Sequence, residues 1–107
     1  MDIQTIKRAY IQSFCWVNEI ESTFRLSLET EKIIEGWIKT FLEKAESVLK
    51  ETDYLSDLEI LGTDLYLTHN YHSTGFFENN YCTKVQGEIL TKLARELPEF
   101  DINLILI

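Results

Sequence analysis

One proline, four glycines and two cysteines are all that this 107-residue chain holds of the residue types that most often break, bend or staple a fold. So little proline and glycine leaves no material for long flexible linkers, and the sequence predicts a single domain over residues 1–107. Cys15 and Cys82 are too few for a disulfide framework, and Cys15, inside an apolar helical run, reads as a small buried hydrophobe. Bases are scarce as well: ten against eighteen acids, for a net charge of −8. A chain so charged is repelled by phosphate backbones and anionic lipid, which argues against direct nucleic-acid binding. No apolar run approaches the length that spans a bilayer, and no basic leader followed by an apolar stretch opens the chain, so a reducing cytoplasm and no membrane association are expected. There is no Gly-rich phosphate loop, no Cys-x-x-Cys pair and no Gly-x-Ser-x-Gly elbow. No cofactor, metal or catalytic residue is therefore expected.

What is present belongs to a folded globule: 45% hydrophobic and 12% aromatic residues. The acids are uneven. Residues 29 to 59 hold nine acids and four bases, whereas residues 1 to 28 hold three of each. That surplus reads either as a solvated face or as a patch that docks on a basic partner.

Ile3, Ile6, Tyr10, Phe14 and Val17 recur at helical spacing, with Trp16 off that stripe. A second helix is clearer still, with Ile33, Ile34, Trp37, Ile38, Phe41, Leu42, Ala45, Val48 and Leu49 on a broad apolar face, Ser27 or Thr30 as its cap, and Gly36 as a weak point that could admit a close helix crossing. Gly62 reads as a break before a strand over 64–68, with Leu65 and Leu67 facing inward. Residues 69–74 then form a loop, and 75–78 begin a return strand. Thr83 to Gln86 fits a capping box that opens a third helix, which Pro98 ends. Residues 100–107 alternate as a third strand, whose apolar second face suggests self-association into a homo-oligomer. The expected architecture is α+β, with three helices packed on a small three-stranded antiparallel sheet.

Both histidines fall in the central segment Asp64-Leu-Tyr-Leu-Thr-His-Asn-Tyr-His-Ser-Thr-Gly-Phe-Phe-Glu78. Asp64, Tyr66, Thr68, His69, Asn70, His72 and Phe77 are the candidate binding residues. Zinc at His69 and His72 would need three or four converging ligands; Cys82, Asp64 and Glu78 are nearby in sequence, but His-x-x-His then Cys is no closed-site signature and no second Cys pair exists. Ser73 and Thr74 adjoin His72 without that adjacency being geometry. Thr68, Asn70 and Gly75 equally suit a purely structural turn. Tyr66, Tyr71, Phe77 and Tyr81 offer the flat aromatic area that protein contacts favour.

This segment resembles a motif in a family of small bacteriophage and prophage proteins, which typically read Asp-Phe-Trp-Leu-Thr-Arg-Asn-Gly-His-Gly-Ala-Gly-Phe-Trp-Asp there. Asp64, Leu67, Thr68, Asn70, His72, Gly75 and Phe76 match outright, and Tyr66, Phe77 and Glu78 are conservative replacements. The stretch from Ala9-Tyr10 to Trp16 and the run Gly87 to Ala94 are similar to flanking parts of the same family. The chain departs from the pattern at His69, where the family has Arg, and at Tyr71 and Ser73, where it has Gly. No function is assigned to the family. The resemblance implies a phage accessory protein in a host cytoplasm, binding and modulating a host protein or complex, as an anti-defence inhibitor does. The alternative is a small-ligand-binding or enzymatic protein that uses His69, Asn70 and His72 in a pocket against the third helix.

Overall fold

The computed structural model describes residues 2–20, 27–78 and 80–99, apart from the Phe77 side chain. Four helices carry the fold: α1 (Ile3–Val17), α2 (Leu28–Leu49), α3 (Leu58–His69) and α4 (Lys84–Arg95). Short 3-10 turns at Asp53–Ser56 and Phe76–Glu78 join them. Among the described residues there is no strand, so the α+β architecture is replaced by an all-helical one. The expected C-terminal strand at 100–107, and the homo-oligomer to be built on it, lie outside the described residues.

Local chemistry starts each helix. The Asp2 carboxylate accepts from the backbone N–H groups of Gln4 and Thr5, and the Ser27 hydroxyl accepts from that of Thr30. Asp57 caps α3 by accepting from the Ile60 N–H at 3.3 Å. Thr83 and Gln86 form the expected reciprocal capping box of α4. The Glu35 carboxylate accepts from Gln4 Nε2 at 2.9 Å, tying α2 to the start of α1. The buried core draws Ile6, Tyr10 and Phe14 from α1, Ile34, Ile38, Phe41 and Leu49 from α2, Leu61 and Leu65 from α3, and Leu90 and Ala94 from α4. Phe76, from the 3-10 turn, stacks on Phe41 at 5.8 Å between centroids. Trp16, off the α1 stripe, is 78% exposed, and Trp37, on the apolar face of α2, is only partly buried.

The largest correction concerns residues 58–78. Leu65 and Leu67 alternate with Tyr66 and Thr68, which mimics the period of a strand. The buried set is Leu61, Gly62, Leu65, Tyr66, Thr68 and His69, whose spacing is that of a helix face. Half of that face is glycine or polar, so the sequence carries no apolar stripe to mark it. Gly62, expected to break the chain, sits mid-helix where α3 crosses α1. A Cβ there would overlap the Ile6 carbonyl oxygen and come within 2.8 Å of Ala9 Cβ. Gly36, the expected site of close crossing, is exposed and has no such neighbour within 4 Å.

The strand expected to return at 75–78 is instead the turn Phe76–Glu78. It is preceded by Gly75 at φ 151°, a conformation that side chains other than glycine's rarely adopt.

Candidate functional site

Helix α3 ends in a Schellman motif. The His72 N–H donates to the Leu67 carbonyl at 2.8 Å, and the Tyr71 N–H to the Thr68 carbonyl at 3.3 Å. The motif needs a left-handed residue at Tyr71, whose φ is 61°. Glycine is the usual occupant there; here the chain places an aromatic ring, 69% exposed. Arg95, at the end of α4, clamps the loop that follows. Its Nε donates to the Thr68 carbonyl at 3.4 Å, and its Nη2 to the carbonyls of Ser73 and Thr74 at 3.1 and 3.3 Å. Its guanidinium carbon lies 4.6 Å from the Tyr71 ring centroid, within cation–π range.

A cavity of about 570 Å³ opens beside this end of α3, and Tyr66, His69, Asn70, His72, Arg95 and Asn18 are among its walls. Four of the seven candidate binding residues thus meet in one place. Thr68 lies beneath it, fully buried, its hydroxyl 3.3 Å from that of Ser73. Asp64 does not join it. The Asp64 carboxylate accepts from the Tyr54 hydroxyl at 2.7 Å, which makes it a structural partner elsewhere on α3. Phe77 belongs to the short turn, and its side chain lies outside the described residues.

The hydrogen-bond network fixes the state of His69. Its Nε2 is 2.7 Å from the Pro98 carbonyl oxygen, so that nitrogen carries the proton and donates. Nδ1 then accepts from the Tyr10 hydroxyl at 2.7 Å, and the Tyr10 oxygen accepts in turn from Asn70 Nδ2 at 3.3 Å. Asn70 Nδ2 also donates to the Tyr66 carbonyl at 3.0 Å. Burial holds the His69 imidazole below its ordinary pKa, partly offset by the Pro98 hydrogen bond. The same desolvation raises the Tyr10 and Tyr66 hydroxyls, so both remain protonated at neutral pH. The Tyr66 ring packs edge-on against Tyr10 at 5.1 Å and stacks on His72 at 6.0 Å.

This arrangement suits binding. Both His69 nitrogens are occupied, so neither can take a proton from a substrate. The Cys15 and Cys82 thiols are raised by burial, which disfavours the thiolate. Comparison with protein-family models, with characterised proteins and with solved structures finds no match to this chain.

Tyr10, Asn18 and Arg95 complete the site from far along the chain: Tyr10 bonds His69 across 59 positions, Asn18 bonds Tyr66 across 48, and Arg95 bonds Thr74 across 21. Nothing in the local sequence marks them.

Proposed function

We propose that this chain is a phage-encoded accessory protein that acts in a host cytoplasm by binding a host protein, and that it inhibits that target as an anti-defence factor does. The observation that carries the reading is the loop after α3. Arg95 and the Schellman motif hold it in one conformation, and it presents the Tyr71 and His72 rings to solvent. Rigid exposed aromatics gain contact area at small entropic cost, which is what protein recognition favours. The motif resemblance adds weight. Its family carries Gly at position 71, where this fold has the left-handed backbone that glycine prefers. The acid surplus over residues 29–59 suits a basic target.

The test is co-purification from a bacterial host, with the wild-type chain against a Tyr71→Gly/His72→Ala double variant. A stoichiometric host protein recovered by the first and lost by the second is expected. Recovery of no stoichiometric partner by the wild type overturns the reading. Small-ligand binding is the second reading, and the cavity beside α3 is the observation that favours it.

A further inference from the structure

We propose that the cavity at the end of α3 is a carboxylate-binding site, in which Arg95 and the Tyr66 hydroxyl hold the anion. The inference rests on the reading of this face as a binding surface, and names what it recognises.

Arg95 supplies the first observation. The chain has eighteen acids, yet among the described residues the one ion pair joins Lys50 to Glu46, at 3.3 Å. Arg95, partly buried in a cavity wall, has no carboxylate partner there. Its Nε and Nη2 are held by three carbonyl oxygens and its face by Tyr71, while Nη1 has no acceptor among the described residues. A guanidinium already fixed in this way loses little freedom when it takes a ligand.

Tyr66 supplies the second. Its side chain is 2% exposed and lines the same cavity. The phenol oxygen accepts from Asn18 Nδ2 at 3.3 Å, but its own proton meets no acceptor among the described residues. In the cavity that proton is available to an acceptor on a ligand. The stacked rings of Tyr66 and His72 and the side chains of Phe14 and Leu97 supply flat and apolar walls. Glu99 also lines the cavity, and the whole chain is at −8, so a dianion such as phosphate is repelled more strongly than a monoanion. The ligand class is therefore a single carboxylate on a flat or apolar body. It comes either from a free aromatic acid or from an Asp or Glu side chain of a polypeptide.

The experiment follows the Arg95 Nε–H resonance by NMR in the full chain while benzoate or its neutral counterpart benzamide is added. A saturable shift with benzoate and none with benzamide is expected. Tyr66→Phe, which keeps both rings stacked, should weaken benzoate about tenfold, the effect of one hydrogen bond to a charged group. Arg95→Gln should abolish binding. Equal responses to benzoate and benzamide, no response at Arg95, or unchanged affinity in Tyr66→Phe overturns the proposal. A blocked peptide with a single Glu, set against its Gln twin, identifies the source. Tighter binding of the Glu peptide than of benzoate points to a polypeptide, the reverse to a free acid, and either supports the site. If host-protein recovery still depends on Tyr71 and His72 while benzoate fails, the carboxylate inference alone falls. If benzoate binds but no host protein is recovered, the protein-binding reading alone falls.

Discussion

Desolvation keeps His69 neutral, and its two hydrogen bonds give that neutrality a structural consequence. A proton added at Nδ1 removes the acceptor of the Tyr10 hydroxyl, whose oxygen already receives Asn70. In the unfolded chain this imidazole titrates near 6.5; in the fold it titrates lower. Between those two values the unfolded state holds more protons, so stability falls as pH drops through that window and is fully present above 6.5. Urea unfolding from neutral pH downward should show that loss, and His69→Asn should lose less over the same range. Tyr10→Phe should cost about 1–2 kcal/mol at neutral pH, because it leaves the His69 Nδ1 acceptor and an Asn70 donor unpaired in the interior. Tyr71 carries the opposite expectation. Its left-handed backbone costs an L residue roughly 1 kcal/mol, so Tyr71→Gly should leave the melting temperature unchanged or higher even as it removes the exposed ring. A large drop in melting temperature would mean that the Arg95–Tyr71 contact outweighs the backbone strain.

Helices α1 and α3 touch through a glycine, and this decides how two similar-looking substitutions differ. Gly62→Ala drives a methyl into the Ile6 carbonyl and the Ala9 side chain and should destabilise by about 1–3 kcal/mol or more, the cost of overpacking. Gly36→Ala fills open space on an exposed helix face and should stabilise by about 0.5–1 kcal/mol. Thermal unfolding of both variants checks the pair, and the same sign for both would contradict the crossing. The two glycines also show what was legible in the sequence. Helices α1, α2 and α4 announce themselves through apolar period and caps, with Thr83 and Gln86 the clearest case. Helix α3 does not, because its buried face contains Gly62, Thr68 and His69, and because its end carries Tyr71 where a glycine normally signals the stop. Four residues of the candidate site could be picked out because they cluster at that stop. Arg95, Tyr10 and Asn18 could not, since only the tertiary packing of α1 and α4 brings them to it.

At the scale of the whole molecule, the proposed binding of a host protein assigns the charge of −8 and the aromatic loop to different steps of association. A field of this sign reaches about 8 Å at physiological salt and would steer a basic partner before contact, whereas Tyr71 and His72 would be buried only once the proposed complex had formed. Each lever therefore has its own kinetic signature. Raising the salt should slow association with a host partner and leave dissociation nearly unchanged. Replacing the exposed acids Glu29, Glu43 and Glu51 by Gln should do the same at low salt, and should flatten the salt dependence. His72→Ala should instead speed dissociation at every salt concentration, since most interface substitutions act there. Surface-immobilised partner and a salt series separate the two. If the Gln variants associate as fast as the wild type at low salt, the acids serve solubility alone, and recognition resides entirely in the face at the end of α3.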